Sequence, residues 1–307
     1  MSYLHKKASQ TSLEDDLLGA FEETSLSTTT KLLWAKKLAH WIASTKKTLY
    51  EALQNPDNAM ETLTTMAIKH STTNHHIYIS ALVAYLTHIH KKSNPSEAET
   101  FLKPWKEIQK GNWQPMTNHY ERNEPTERQK EKLMDFKEIE EARDQLEVGS
   151  MERLLLTFYT KVEPLRADYY ATEIVPEGED SKEENYMTLG PSGAKLIVND
   201  FKTKRKYERI ENDLPEDVLD ELIASLEKYP RNYLFVTDTD KPYTRKLFSN
   251  WACRTLSRVL DHPMTLTALR HMYITEKIKQ KTPVGELVEI AKKMGHSRNM
   301  QRVYEWS

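Results

Sequence analysis

Glycine is scarce in this chain, with only 8 among 307 residues. Leu, Lys, Glu and Ala are abundant, and these residues are favourable in helices. Together the two features predict a chain rich in α-helix. The length is sufficient for two domains, each burying a hydrophobic core of its own.

Several protein classes are excluded by simple features of the sequence. No run approaches the roughly 18 apolar residues that a membrane-spanning helix needs. The N-terminal segment MSYLHKKASQTSLEDD lacks the apolar stretch of a secretory signal peptide. Cys253 is the single cysteine, so an intramolecular disulfide or a cysteine metal cluster cannot form. We therefore expect an intracellular protein with no membrane association.

The overall charge does not decide whether the chain binds nucleic acid. The formal net charge is −2. Binding responds to the local field, however, and net charge averages over surfaces that never meet the ligand. Residues 202–209, KTKRKYER, contain five cations and one acid. Composition therefore leaves DNA binding open.

Changes in composition divide the chain into four parts. Residues 1–28 are polar and rich in Ser and Thr, which predicts a loose N-terminal arm. Residues 29–111 have apolar residues at helical spacing, which predicts a small helical domain. Residues 112–129 contain two prolines and little apolar periodicity, which predicts a linker. Residues 130–307 are expected to form a second domain.

Short β-like segments occur only in the second domain. They lie at residues 186–189, 195–198, 208–211 and 233–236. Apolar residues at helical spacing surround them, including a helix with Pro215 in its first turn. The predicted fold is mainly α with a small antiparallel β-sheet: an N-terminal helical domain followed by an α+β domain.

Metal and cofactor sites are not predicted. The histidines of the first domain lack the i, i+4 spacing with a glutamate that a zinc-protease helix has. Its tryptophans occupy apolar helix positions, which indicates core packing rather than stacking on bases. These residues are His75, His76, His88 and His90, and Trp34, Trp41 and Trp105.

Three segments of the second domain contain the residue types that phosphoryl transfer needs. Arginine binds phosphate bidentately, lysine or histidine can exchange protons, and a tyrosine hydroxyl can hold phosphate covalently. Taken singly, each residue is as easily explained by packing or helix capping. Their joint occurrence in one order indicates chemistry. The segments are Leu165-Arg166-Ala167-Asp168, Leu269-Arg270-His271, and Gly295-His296-Ser297 with Tyr304 beyond.

In this order the residues resemble the catalytic motifs of the tyrosine recombinases, the family of phage integrases and related site-specific recombinases. Arg166 follows an apolar helix, and Lys202 precedes a threonine on a β-hairpin, as in that family. Arg270 and His296 lie in Leu-Arg-His and Gly-His-Ser segments, and the family's nucleophile falls on Tyr304. The segments ENYMTL, VNDFKT and KKMGHS are similar to members found in large DNA viruses and eukaryotic mobile elements.

The resemblance implies a site-specific recombinase or integrase that cleaves and rejoins double-stranded DNA through a 3′-phosphotyrosine intermediate. Tyr304 would be the nucleophile, and Lys202 would protonate the leaving 5′ oxygen. The remaining site residues would hold the transition state (Arg166, Arg270), assist (His296, Thr267) or bind DNA (Lys204, Arg205, Lys206). No metal ion or nucleotide is required, because the covalent intermediate conserves the energy of the phosphodiester.

The resemblance also implies partners and a place of action. Family members act as tetramers on two DNA sites, which implies a homotetramer on DNA and a monomer or dimer in solution. The helical domain would bind DNA at the core of the site. Action is expected where the DNA is: the nucleus or cytoplasm of a host cell, or a nucleoid.

Three departures from the family pattern leave alternatives open. The spacing from His296 to Tyr304 is one residue shorter than the commonest family spacing. Thr267 stands where a histidine is usual, and threonine cannot act as a general base near neutral pH. Tyr169 stands where an acidic residue is usual, with Asp168 one position earlier. The alternatives are a type IB topoisomerase, which uses much the same residues, and a DNA-binding protein with a degenerate active site.

Overall fold

The computed structural model describes residues 10–67, 72–122, 125, 127–181, 183–204 and 209–297. The chain divides into two compact units, Met1–His119 and Tyr120–Ser307. Within the described ranges the regular elements of the first unit are all helices, whereas the second unit combines helices with a four-stranded sheet. The predicted fold class, mainly α with a small sheet in the second domain, is confirmed.

The first unit begins with two helices that pack against each other, α1 (Gln10–Glu22) and α2 (Thr28–Thr45). The Ser27 side chain caps α2 by accepting a hydrogen bond from a backbone N–H of the first turn, as polar N-caps do. The remaining elements are α3 (Leu49–Gln54), α4 (Pro56–Ala67), α5 (Thr72–Tyr85), a π-helical turn (Leu86–His90), α6 (Lys91–Ser93) and α7 (Pro95–Arg122).

Two tryptophans lie at the centre of the first unit's core. Trp41 of α2 and Trp105 of α7 are fully buried, and their rings meet edge to face with centroids 5.5 Å apart. Each indole N–H donates to a backbone carbonyl, that of Ala59 at 3.1 Å and that of Leu53 at 3.4 Å. The prediction that these two tryptophans belong to the core is confirmed.

Two expectations about the first unit are wrong in part. Residues 10–22 do not belong to a loose arm, because they form α1, which buries an apolar stripe of Leu13, Leu17 and Phe21. A linker does not begin at residue 112, because α7 continues to Arg122 with Pro115 inside it. A proline removes one hydrogen bond from a helix, and tertiary context can outweigh that cost.

The second unit is built around a buried helix, α10 (Met151–Thr160). Its residues from Leu154 to Thr160 are all buried, and it contacts four neighbouring helices. The helices before the sheet are α8 (Glu127–Lys130), α9 (Phe136–Gln145) and α10 (Met151–Thr160). The sheet has β1 (Glu173–Pro176), β2 (Asn185–Gly190), β3 (Gly193–Val198) and β4 (Ile210–Asp213). After it come α11 (Glu216–Lys228), α12 (Arg245–Val259), α13 (Leu266–Lys279) and α14 (Val284–Lys293).

The sheet is mixed rather than purely antiparallel, which corrects the sequence-based expectation. Its order is β1-β2-β3-β4. The β2–β3 and β3–β4 pairs are antiparallel, with Tyr186 opposite Ile197 in the first of them. The β1–β2 pair is parallel, with Glu173 opposite Tyr186. β1 ends in a proline, which weakens the strand signal of its β-branched residues.

Membrane-spanning helices were also sought. Across the described part of the chain, no helix is both long and apolar enough to cross a membrane.

Candidate active site

Arg166 lies in the loop after α10, and two buried tyrosines hold this loop. Tyr159 donates its hydroxyl hydrogen to the Arg166 carbonyl. Tyr169 packs edge-on against Tyr159, with ring centroids 5.5 Å apart. Burial raises the pKa of both tyrosine hydroxyls, so both stay protonated and able to donate. The backbone of Arg166 is therefore fixed against the central helix.

Arg270 lies on α13 with its side chain in the protein interior, only 1% exposed. Its Nη1 donates to the Pro164 carbonyl, and its Nη2 donates to the Met294 carbonyl at 3.4 Å. A buried guanidinium is costly unless it is hydrogen-bonded, and these carbonyls supply such bonds. Pro164 is two residues before Arg166, and Met294 is two residues before His296. Arg270 thus joins the segments that carry two other predicted site residues.

His296 follows a glycine that ends α14. Gly295 has a φ of +69° and donates its N–H to the Lys292 carbonyl at 2.8 Å, while the His296 N–H returns to the Ala291 carbonyl at 3.0 Å. These two bonds end the helix as a Schellman motif. A Cβ at position 295 would lie 3.2 Å from Phe201 Cδ2. Both the backbone conformation and the available space therefore favour glycine.

The imidazole of His296 is buried and neutral. Burial, followed by the positive charge of Arg270, lowers its pKa to about 3, and the charges of Arg166 and His271 act in the same direction. Its Nδ1 lies 3.2 Å from the Ser297 carbonyl. A carbonyl only accepts, so Nδ1 holds the proton and Nε2 is the accepting nitrogen. Because Arg270 is bonded to the carbonyls of Pro164 and Met294, the structure brings the segments of these three predicted residues together.

The loop after β3 carries Lys202 and is bonded to the segment of His296. Thr203 Oγ1 donates to the Gly295 carbonyl at 2.6 Å. On the other side of Lys202, the buried Phe201 ring packs against Gly295. Lys202 itself is exposed. The fold therefore anchors the residues on both sides of Lys202 next to the imidazole.

Lys204, two residues further on, is committed to carboxylates. Its Nζ lies 3.1 Å from Asp200 and 3.2 Å from Glu184. Hydrogen bonds to Asp200 and then to Glu184 raise the pKa of Lys204. The ammonium group of Lys204 is therefore held by two acidic side chains.

Some predicted residues are not placed by the structure at the site. Arg205, Lys206 and Tyr304 lie outside the described residues. Thr267 is exposed in the first turn of α13, where it lines a cleft together with Lys132. The assisting role of Thr267 remains a prediction.

Arg245 is a residue that the sequence motifs do not indicate. It is the first residue of α12, and its guanidinium pairs with Asp168 and Asp200. A cation at the start of a helix opposes the helix dipole. This unfavourable position is the signal that could have drawn attention to it. In the described ranges, no group of three or more His, Cys, Asp or Glu side chains is arranged to hold a metal ion.

Comparisons with known proteins give likenesses at the level of solved structures. No family model matches the chain, and no curated protein matches it. The XerA recombinase structure aligns with 96% of this chain and 93% of its own, at 13% identity and a TM-score of 0.39. The XerH site-specific recombinase bound to difH substrate, a pre-cleavage complex, aligns with 97% of this chain and 82% of its own, at 17% identity and a TM-score of 0.48. At these values neither likeness bears on the chemistry of this chain.

Proposed function

We propose that this chain is a site-specific tyrosine recombinase, which cleaves and rejoins double-stranded DNA through a 3′-phosphotyrosine on Tyr304. The observation that best supports the proposal is that Arg270 is bonded to the segments of Arg166 and His296, and that the Lys202 loop is bonded to the His296 segment. Arginine side chains bind phosphate oxygens bidentately, so a fold that joins the segments of two arginines is suited to an anion such as a phosphodiester.

The proposed reaction is a transesterification that needs no outside reagent. The Tyr304 oxygen attacks phosphorus, and the bond from phosphorus to the 5′ oxygen breaks. Lys202 gives a proton to that oxygen, so a 5′-hydroxyl leaves. The tyrosine proton passes to His296 Nε2, whose pKa a bound phosphate would raise by offsetting the arginine charges. Attack by a 5′-hydroxyl reverses these transfers and restores the phosphodiester.

The two arginines would bind the non-bridging oxygens as negative charge develops on them. Donors placed in advance around such charge commonly account for a factor of about 100 to 1,000 in rate per donor. A guanidinium has five N–H donors. Arg270 can therefore hold the Pro164 and Met294 carbonyls and bind a phosphate oxygen as well.

The partner proposed is duplex DNA, bound by a tetramer that forms on two sites from monomers or dimers. Lys204, Arg205 and Lys206 would contact its phosphates, with Lys204 exchanging its carboxylate partners for the DNA backbone. The proposed biological context is a mobile element or a large DNA virus. Action would take place in the nucleus or cytoplasm of the host cell, or in a nucleoid.

The experiment that tests the function is covalent trapping. Duplexes that bind the full chain are selected from a randomised pool and remade with nicks at successive positions, so that cleavage releases a short fragment and cannot be reversed. We expect an adduct that survives SDS with wild type and is absent with Tyr304→Phe, although that variant still binds the duplex. Peptide mass spectrometry should place the nucleotide on Tyr304. Equal adduct with Tyr304→Phe, or none with wild type on any nicked duplex, would contradict the proposal.

A further inference from the structure

One guanidinium joins the two loops that carry proposed catalytic residues. Arg245 Nη1 forms an ion pair with Asp168, and Nη2 lies 3.0 Å from the Asp200 carboxylate. Nη2 also lies 3.2 Å from the Asp200 carbonyl. Asp168 is two residues after Arg166, and Asp200 is two residues before Lys202. A single side chain thus joins the loop of Arg166 to the loop of Lys202.

Asn185, the first residue of β2, ties the same two loops through their backbones. Its buried Nδ2 donates to the carbonyls of Asp168 at 3.0 Å and Asp200 at 3.2 Å. Its Oδ1 accepts from the Asp200 N–H at 2.8 Å. Tyr170 donates to the Asp200 carboxylate at 2.6 Å, and the Arg245 guanidinium lies 4.6 Å from the Tyr170 ring centre.

The charges of this cluster reinforce one another. Burial would raise the pKa of Asp200, but hydrogen bonds from Tyr170, Lys204 and Arg245 outweigh burial and bring it to about 2. Burial would lower the pKa of Arg245, but the charge of Asp168 together with hydrogen bonds to Asp168 and Asp200 outweighs burial and raises it. The guanidinium and the Asp200 carboxylate are therefore both charged at neutral pH.

Stability alone is a weak explanation for this arrangement. The Arg245 side chain is 37% exposed, and ion pairs open to solvent contribute little to stability. Arg245 moreover occupies the start of α12, where the helix dipole disfavours a cation. Directional bonds to two carboxylates do, however, fix the spacing of the loops that bear them. Catalytic groups need that kind of placement, to within about 0.5 Å.

We propose that Arg245 is a positioning residue for strand transfer, which aligns Arg166 with Lys202 through Asp168 and Asp200. The inference rests on the proposed recombinase function. The ion pair of Arg245 with Asp168 fixes the position of Arg166, and its ion pair with Asp200 fixes the position of Lys202. A displacement of about 1 Å at a reacting group can reduce a rate about 100-fold. Loss of Arg245 should therefore slow cleavage while DNA affinity is retained.

The test measures single-turnover adduct formation on the nicked duplex selected above. The same duplex is also made with sulfur replacing the bridging 5′ oxygen, because a thiolate leaves without needing a proton. On the oxygen substrate Arg245→Met should react about 100-fold more slowly than wild type. The sulfur substrate should restore the cleavage rate of Asp200→Asn and leave that of Asp168→Asn slow. It should restore the rate of Arg245→Met only in part. A purely structural role would give no such difference between Asp168→Asn and Asp200→Asn.

Controls separate positioning from folding. Arg258→Met removes an exposed ion pair with Glu152 from the same helix, and should cleave like wild type. Arg245→Lys keeps the charge but loses the planar fork of donors, so it should fall between wild type and Arg245→Met. Thermal melting and DNA affinity are measured for every variant. If Arg245→Met fails to fold, Arg245→Lys and the two Asp→Asn variants decide the matter.

Two outcomes would overturn the inference while the recombinase function stands. One is that a folded Arg245→Met protein cleaves the oxygen substrate at the wild-type rate. If that variant does not fold, the equivalent result is a wild-type rate in Arg245→Lys and in both Asp→Asn variants. The other is a loss of cleavage rate that the sulfur substrate restores to the same extent in Asp168→Asn and Asp200→Asn. Absence of any adduct with wild type is a different result, because it removes the proposed function and the inference with it.

Discussion

The Thr203 hydroxyl donates a 2.6 Å hydrogen bond to the Gly295 carbonyl, joining segments 92 residues apart in the sequence. Lys202 is the neighbour of the donor, and His296 is the neighbour of the acceptor. The bond therefore fixes the proposed proton donor relative to the buried imidazole. It is a direct link between the neighbours of two predicted site residues that the sequence places far apart.

Replacing Thr203 by valine removes this bond with little change in volume. The expected loss of unfolding free energy is about 0.5–1.5 kcal/mol, the net value of one hydrogen bond. Cleavage should fall roughly tenfold, which corresponds to about 1.4 kcal/mol in the barrier, with DNA affinity unchanged. Thr203→Ser keeps the hydroxyl and should stay close to wild type. A Thr203→Val protein that cleaves as fast as Thr203→Ser would show that the bond does not position Lys202.

Two glycines near the same helix allow a matched test of backbone conformation. Gly295→Ala places a Cβ on a backbone with a φ of +69° and 3.2 Å from Phe201 Cδ2. It should lower the free energy of unfolding by about 1–3 kcal/mol. Gly285 lies within α14 with nothing within 4 Å of an added Cβ. Gly285→Ala should raise the free energy by about 0.5–1 kcal/mol. Urea denaturation measures both, and equal effects would contradict the prediction.

The low pKa of His296 predicts a specific loss of stability in acid. The unfolded chain takes up a proton near the ordinary histidine pKa of about 6.5, whereas the folded protein takes it up only near a pKa of about 3. This site therefore contributes full stability above pH 6.5 or so and loses it as the pH falls toward 3. At pH 5 the loss is on the order of 1–2 kcal/mol.

His296→Gln should lack this part of the acid sensitivity. Urea denaturation of wild type and variant at pH 7 and pH 5 measures it as a difference of differences. The variant is expected to be less stable than wild type at pH 7, and the gap should narrow at pH 5. A gap that is the same at both pH values would show that His296 is not held neutral by its surroundings.

Much of the secondary structure could be predicted from local patterns in the sequence. The β-like segments at 186–189 and 195–198 correspond to β2 and β3, and the apolar run after Ser150 corresponds to α10. Helix α1 was also within reach, since Leu13, Leu17 and Phe21 recur at intervals of four residues. The segment is polar overall, so an assessment by composition alone misses these three apolar residues.

The parts of the site that could not be predicted depend on contacts between distant residues. Motifs identify Arg166, Arg270 and His296, and the structure brings them together. Arg245, in contrast, lies in none of the motifs, and it meets partners 77 and 45 residues away. A pairing of that kind follows from the packing of α12 beside two loops. No local periodicity in the sequence records it.

Arg166→Lys tests whether Arg166 binds the phosphate in the transition state, because the variant retains the positive charge. Lysine cannot bind phosphate with two parallel bonds, as arginine does. Arg166 is half-buried, and its loop is held through backbone contacts from Tyr159, so the variant should fold. Cleavage should fall by about 100-fold or more, with DNA affinity changed little. The sulfur-containing substrate should not restore the rate, because the defect is not in the leaving group. Near-normal cleavage would mean that Arg166 does not hold the transition state.

The final prediction distinguishes the two described lysines of the loop after β3. Lys202 is exposed beside Thr203, whereas Lys204 is paired with Asp200 and Glu184. Lys202→Ala should slow cleavage of the oxygen substrate by about 100-fold or more, within the range expected of a general acid. Replacing the bridging 5′ oxygen by sulfur should restore the rate, because the leaving thiolate needs no proton. Lys204→Ala is expected to weaken DNA binding, with the same relative loss on both substrates. Restoration by sulfur of Lys204→Ala instead of Lys202→Ala would move the proton donor two residues along the loop, to the lysine that the ion pairs hold in the free protein.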